Sequence, residues 1–482
     1  MKPTMNPRSG QLSISVLFFA TISVVLLTGF IFLATSLLQL SLRELNRSQA
    51  FTIAEAGIEY YRWHLAHDTD DFQDGTGQAG PYVHDYYDKD GVKIGTFTLT
   101  ITPPPTGSTV VTIRSQGQVE ADPSISKIIE VRLGIASLAR IQLAVNSDLE
   151  IGSTTEIFGE VMANGGIRFD GYAHNTVKSA LEEYDDLSHG GQEEFGVHTH
   201  RGTVDPEPPA AVPSRPDVFA AGREFPVPAI DFTGLTQDLA DLKADALGDG
   251  YYATSSGAQG YDLVLAPDDT YQVYKVTAVT PPPNGCTNTS NEDGWGTWSV
   301  ESETLVASGT LPASGKMFFE DNLWVRGSID GARVTIASGK FPDNAATRTS
   351  ISVNNDLTYT NYNGLDTIAL IAQKNINIGL YSEDILRIDA ALLAQNGRIG
   401  RYYYQPPNNE SNNNRCGPTG IRQQITLYGM IGSNLTYALG YADLSGYQER
   451  IIVYDANLLY NPPPGFPLTT NQYSQISWDE VQ

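Results

Sequence analysis

Residues 11–42 read QLSISVLFFATISVVLLTGFIFLATSLLQLSL, and no charged residue falls between Gly10 and Arg43. A bilayer-spanning helix needs about 20 apolar residues, so this run suffices, with Thr21, Thr28 and Gly29 tolerated inside it. It is too long for the apolar core of an ordinary secretory signal, and no small-x-small cleavage site follows it. The sequence therefore predicts a retained, single-pass anchor in the inner (cytoplasmic) membrane, with the rest of the chain extracytoplasmic.

The helix continues outward. Residues 45–67 read LNRSQAFTIAEAGIEYYRWHLAH, without proline. Phe51, Ala54, Ile58, Tyr61 and Leu65 recur at spacings of three and four, one face of a helix, while Glu44, Arg47, Glu55, Glu59 and Arg62 fall largely off that stripe. A helix from Leu12 to His67 would be about 80 Å long. Residues 11–42 would lie in lipid or in a filament core, and residues 43–67 would pack on a soluble domain.

Composition bounds the rest. The 482 residues include 45 Gly, 27 Pro and 25 Tyr, with 18% charged, which is the make-up of a turn-rich β protein. A net charge of -25 argues against nucleic acid and against electrostatic docking on anionic lipid. Cys286 and Cys416 sit in polar loops; in an exported chain they either form one disulfide or stay separate thiols.

Residues 1–10, MKPTMNPRSG, form a short basic leader ending in glycine ahead of an uncharged helix. This resembles the class III signal of type IV pilins and pseudopilins, and AFTIAEAGIEYYRWHL resembles the segment after the membrane helix in PilX-type assembly proteins. The resemblance covers about the first 135 residues. It implies cleavage by a prepilin peptidase between Gly10 and Gln11, a helix that packs in a filament, and other pilin or assembly subunits as partners. Gln11 stands where most pilins have Phe, and Ser15 where most have Glu; lack of that Glu is similar to atypical minor pilins of the PilX-like and GspK-like groups. A minor pilin with a tip or adhesive position is the implied role, the alternative being an uncut anchor.

The segment 68–135 predicts a small β module. VKIGTFTLTITPPP, STVVTIRSQGQVE and SISKIIEVRLG alternate as strands, to be packed on the helix. From about Ile135 a phrase recurs: Asn or Asp, then Leu or Ile, one residue, then Ile, Val or an aromatic. It starts at Asp148, Asn322, Asp356, Asn375, Asn396 and Asn434, with Gly166-Ile167-Arg168-Phe169 as a variant. The steps are near 20 residues or twice that, as from Leu149 to Ile167, Leu323 to Leu357 and Leu357 to Ile376. Such a period predicts a right-handed parallel β-helix, a β-solenoid, with Asn and Gly at its corners. The first coils are expected at 136–181 and the main solenoid at 312–464. Between them, 182–311 reads as an insertion, with a proline-rich arm from Thr203 to Pro228 and a short helix bearing Leu235, Leu239, Leu242 and Ala246. The tail, 465–482, is expected to fold over the terminal coil with Trp478 as its anchor.

No catalytic, cofactor or metal site is assigned. His64 and His67 lie one turn apart without a third ligand. The loop holding Asp70, Asp71 and Asp74 misses calcium-loop spacing and reads as solvated. His198 and His200 share a strand face, with His174 and His189 upstream, and read as structural. Asp366, Asp384 and Asp389 are not brought together by any pattern. Tyr402, Tyr403 and Tyr404 could stack on sugar rings. The sequence thus predicts a non-enzymatic, surface-exposed structural protein, with a surface carbohydrate or host ligand as the solenoid's partner; the alternative is an anchored β-helix that binds or processes carbohydrate.

Overall fold

A computed structural model describes residues 8–105, 108–232, 234–407, 415–441, 443–459 and 461–481, with the side chains of 8–11 and 235–237 outside the description. The leader residues 1–7 lie outside it as well. The fold is mainly β, with a long N-terminal helix, an antiparallel sheet and a large set of parallel pairings. Two compact units divide the chain: residues up to Pro103 with Val111–Gly134 and Gln472 onward, and Pro104–Val110 with Ile135–Asn471. The second unit is thus inserted within the sequence of the first.

In the first unit the helix α1, Arg8–His67, is continuous across both halves of the predicted segment. Strands β1 (Tyr82–Tyr87), β2 (Lys93–Thr102), β3 (Val111–Val119) and β4 (Asp122–Ser137) form an antiparallel meander. A fifth strand, Leu468–Val481, joins it at β4. Alternation sets the buried face: Phe97 and Leu99 of β2 and Val111, Ile113 and Ser115 of β3 turn inward. Ala50, Ile53, Ala54, Ile58, Tyr61 and Leu65 of α1 are buried against them.

This unit shows why the helix carries AEAG. At Gly117 of β3, a Cβ would lie 2.1 Å from the Ala50 carbonyl oxygen and 2.4 Å from the Ala54 nitrogen, so helix backbone touches strand directly. Only small residues permit that approach. Phe51 lies at the rim of this core, 5.7 Å from the Trp478 ring in an edge-to-face pair. The tail therefore does not cover a terminal coil as expected. It completes the antiparallel sheet, with Ser474 Oγ donating to the Gly134 carbonyl (3.1 Å) and Lys127 ion-paired to Glu480.

The second unit is built from parallel pairings in three series. One runs through Tyr251, Met317, Ile336, Leu370, Leu392, Ile431, Leu143, Val161, Val177 and Arg223, or their immediate strand neighbours. Another joins Tyr261, Leu323, Ile351, Ile376 and Ile399, and in a separate stretch Leu149, Ile167 and Val197. A third links Leu265, Gly327, Leu357, Ile388, Leu427 and Ile452.

The first series does not follow chain order. Ile431–Ser433 pairs in parallel with Leu143–Val145, so a late strand of the unit lies beside its first. The chain starts mid-stack, moves outward through Val161 and Val177 to Arg223, crosses to the opposite end at Tyr251, and works back to Ile431. The crossing contains α2, Leu235–Asp249. Residues 182–311 are therefore not a flank decoration: Arg223–Glu224, Tyr251–Ala253 and Gly260–Leu265 are rungs of the stack. Val218 and Phe219, inside the proline-rich arm, are buried in its core.

The return crossing explains the sequence of the strands it covers. In Thr367–Ala372 (TIALIA) every residue is buried. Ile368, Leu370 and Ala372 face one core; Ala369 and Ile371 join Ala337, Ala391, Leu393, Ala144 and Met162 in a second core, closed by Leu239, Leu242 and Ala246 of α2 with Leu458 and Phe466. A sheet covered on both faces reads as a continuous apolar run.

Polar corners tie adjacent rungs. Asp148 Oδ1 accepts from the Gly166 N–H (2.8 Å), Asn322 Oδ1 from Ser350 (3.0 Å) and Asn375 Oδ1 from Arg398 (3.0 Å). Asn164, Asn146 and Asn434 form a side-chain ladder across the junction, with Asn146 Nδ2 donating to Asn434 Oδ1 at 2.7 Å. Gly400, within the strand Ile399–Arg401, has φ +139°, and a Cβ there would strike the Ala438 carbonyl oxygen.

Candidate functional site

The candidate membrane span is the first half of α1. Leu12 to Leu42 are exposed throughout, Phe30 and Phe32 by 73% and 75%. Among the described residues this is the one helix long and apolar enough to cross a membrane. Its threonine hydroxyls are internally satisfied: Thr21, Thr28 and Thr35 donate to the carbonyls of Leu17 (3.0 Å), Val24 (2.7 Å) and Ile31 (2.9 Å). Ser15 lies on this stretch; the side chains of Gly10 and Gln11, the expected processing point, lie outside the described residues.

The remaining sequence candidates fall into place one by one. His64 Nε2 meets Asp71 Oδ2 at 2.9 Å, and His67 Nδ1 lies 2.7 Å from the Trp63 carbonyl oxygen, so the two histidines have separate partners. The acidic loop is latched to its unit: Asp71 accepts from the Gln73 N–H (2.7 Å) and the Gly75 N–H (2.6 Å), and Asp74, buried, meets His84 at 2.7 Å. The Gln73 N–H, helped by Gly75 and His64 against partial burial, holds the Asp71 carboxyl below its ordinary range.

The three acids considered for sugar chemistry are each engaged by backbone. Asp366 accepts from Thr360 (2.9 Å) and Asn361 (2.6 Å), Asp389 from Tyr359 (3.1 Å) and the Tyr362 hydroxyl (2.6 Å), and Asp384 from Gln423 (3.1 Å). Tyr402 and Tyr404 are not a surface platform; they are buried with Leu380 beside the disulfide that joins Cys286 to Cys416. Next to them Arg401 is fully buried, donating to Ser382 Oγ (3.0 Å) and to the carbonyls of Leu380 (3.0 Å) and Thr419 (2.6 Å). Burial lowers its guanidinium to about 10.

Two clusters remain, one of them absent from the sequence reading and the other read there only as a structural histidine pair. In an open groove of about 590 Å³, Asp262, Glu303 and Arg326 lie with Trp324, Asn354 and Tyr381. Arg326 reaches Asp262 Oδ2 at 2.9 Å and Glu303 Oε1 at 3.4 Å. Burial, then the Asp262 charge, raises the Glu303 carboxyl to about 7. The other cluster contains His198 and His200. Their rings lie 4.9 Å apart, and His189 lies 4.2 Å from His200. His174 is elsewhere, against Glu156 (2.6 Å) and stacked on Phe158. Asp186 and Glu194 complete this group.

No family model matches the chain, and no curated protein matches it. One solved structure with detectable likeness is the competence-associated pilin ComZ from Thermus thermophilus, at 13% identity and a TM-score of 0.31, over 90% of this chain and 97% of that one. Likeness at that level carries no argument about fold or function.

Proposed function

We propose that this protein is a membrane-anchored structural subunit of a type IV pilus or pseudopilus kind, a PilX-type minor pilin whose partners are the membrane and other pilin or assembly subunits. One observation supports it most: a single helix whose first half buries nothing and whose second half is the core of a helix-on-sheet unit. A helix so divided can wait in a bilayer and then exchange lipid for neighbouring helices without refolding its head. The three parallel series are, in this reading, successive turns of a right-handed β-solenoid carried between β4 and the last strand. So large a head fits a rare or tip position, where its flank meets a surface carbohydrate or host ligand. The protein has no catalytic role in this account.

Mass spectrometry of the N-terminus in a sheared surface fraction tests it. A mature start at Gln11, N-methylated, is the expected result. An intact Met1 in protein that stays with the membrane fraction would remove the filament mechanism. The groove with Asp262, Glu303, Trp324 and Tyr381 favours one second reading, a carbohydrate site, because acids of raised proton affinity beside aromatic rings suit sugar recognition. Binding to a polysaccharide panel that is lost in Trp324→Ala would support that reading, and its absence would remove it.

A further inference from the structure

The hairpin formed by Glu183–Asp186 and Gln192–Phe195 folds back beside the strand Val197–His198, which pairs in parallel with Ile167 and Arg168. This places two acids and three imidazoles at one spot in the inserted unit. Asp186, His198 and His200 each present one ligand atom, all within 4.8 Å of one another, and so do His189, Glu194 and His200. Asp186 Oδ2 lies 3.3 Å from His198 Nε2, His189 Nδ1 2.8 Å from Glu194 Oε1, and His200 Nε2 3.8 Å from Glu194 Oε1.

Apart from His189, the cluster is largely buried, and several of its polar atoms lack hydrogen bonds. The side chains of His198, Glu194 and Asp186 are 0%, 1% and 4% exposed, and that of His200 11%. Yet Asp186 Oδ2, Glu194 Oε2, His200 Nε2 and both ring nitrogens of His198 make no hydrogen bond. A buried polar atom without a partner costs about 1–3 kcal/mol; Glu194 Oε2 and His198 Nδ1 have none here, and Asp186 Oδ2, His198 Nε2 and His200 Nε2 meet only ion-pair distances within the cluster, so the spot calls for an occupant. Among the described residues, only histidines lie within ion-pair distance of Asp186 and Glu194. Arg168, the nearby cation, is engaged by Asp170 Oδ2 (2.9 Å) and Ser188 Oγ (3.1 Å).

The surroundings hold the ligand atoms in place. Asp186 Oδ1 accepts from the Ser188 N–H (2.9 Å) and Oγ (2.6 Å), which leaves Oδ2 aimed at His198. The His200 N–H donates to Asp170 Oδ1 (2.6 Å) and the Thr199 N–H to Asp205 Oδ2 (3.2 Å), fixing the backbone between the two histidines. Such outer contacts orient metal ligands. Imidazole and carboxylate without thiolate select a borderline divalent ion, whereas calcium and magnesium prefer all-oxygen shells. Tetrahedral zinc, with bonds near 2.0–2.1 Å, sets its ligand atoms about 3.3 Å apart, the separation seen between Asp186 and His198.

We propose that Asp186, His198 and His200 bind one divalent transition-metal ion of the zinc class, with Glu194 beside His200 as the neighbouring carboxylate and the half-exposed His189 on the entry side. The ion would staple the hairpin to the parallel stack. This inference does not depend on the pilus reading.

The test uses the untagged full chain in detergent. Elemental analysis is expected to give about one zinc per chain. Chelation should lower the melting midpoint by about 5 °C, and zinc should restore it. Cobalt added to the chelated protein should give the visible absorption of a tetrahedral site. The pair His200→Ala and Glu194→Gln should abolish uptake with circular dichroism unchanged. If those variants fail to fold, the cobalt spectrum and the chelation cycle of the unaltered chain decide. A chelated protein that takes up neither zinc nor cobalt and melts unchanged overturns the proposal, as does a folded His200→Ala/Glu194→Gln chain that still binds one ion.

Discussion

Strand β2 and strand Thr367–Ala372 bury themselves differently. In β2, Phe97 and Leu99 are buried while Thr98 is half-buried and Thr100 exposed; in TIALIA all six residues are buried. The first strand has a helix on one face and solvent on the other. The second has the interior of the stack on one face and the return crossing with α2 on the other. A strand's residue pattern thus reports how many of its faces are covered.

Alanine substitution breaks or sharpens this contrast most strongly. Leu392→Ala and Leu393→Ala, neighbours that point to opposite cores, should each cost about 2–5 kcal/mol. In the antiparallel sheet only one neighbour should matter: Leu99→Ala should cost about as much, and Thr100→Ala within about 0.5 kcal/mol. Hydrogen exchange read by mass spectrometry on the full chain reports each locally. Equal tolerance at Leu393 and Thr100 would mean that the outer face of the stack is bare.

A smaller effect is expected at the helix–sheet contact. Gly117→Val drives side-chain atoms into the α1 backbone at Ala50 and Ala54, for a loss of about 1–3 kcal/mol. Protection should fall in β2, β3 and residues 50–65 and stay unchanged around Leu392. Protection unchanged in all of these would show that helix and strand do not touch there.

The smallest effect is a difference in the sign of pH dependence. Glu303 is raised to about 7, so the folded state holds its proton more tightly than the unfolded state. That contribution is present at low pH and is lost as pH rises through about 7. Asp71 is lowered, chiefly by the Gln73 N–H, so its contribution is present above the ordinary carboxylate range and is lost as pH falls. Exchange protection around Glu303 should therefore weaken from about pH 5 to about pH 8, and Glu303→Gln should flatten that trend. Protection of the Asp71 loop should weaken only toward acid, in both chains. A Glu303→Gln profile identical to the unaltered chain's would remove the raised carboxyl from the account.

Local features were legible in the sequence, and stacking order was not. Spacings of three and four gave α1 and most of its buried face, though Ala50 and Ile53, outside the predicted stripe, are fully buried while Phe51 lies at the rim, because small residues let the helix reach Gly117. Asparagine, aspartate and glycine at corners were readable, and Leu149 does pair with Ile167, and Ile376 with Ile399. Leu357 pairs with neither Leu323 nor Ile376: its partners are Gly327 and Ile388. The recurring phrase falls in two of the three pairing series, so its period gives a step length and not a partner. No residue near Leu143 announces that its neighbour is Ile431, since that pairing is set by the distant crossing at 225–250. At the histidine cluster, the alternation of His198 and His200 was visible, whereas Asp186 and Glu194 reach it only through the hairpin fold.

The out-of-order stack is the central structural claim, and a cysteine pair at Asn146 and Asn434 tests it most directly. Their side chains touch at 2.7 Å across the junction, and neighbouring parallel strands lie about 4.8 Å apart, within disulfide reach. Asn146→Cys with Asn434→Cys should cross-link quantitatively on mild oxidation, with the linked peptide identified by mass spectrometry and the Cys286–Cys416 bridge retained. A stack wound in simple chain order would keep these two residues at opposite ends, and the absence of that cross-link in folded protein would contradict the account.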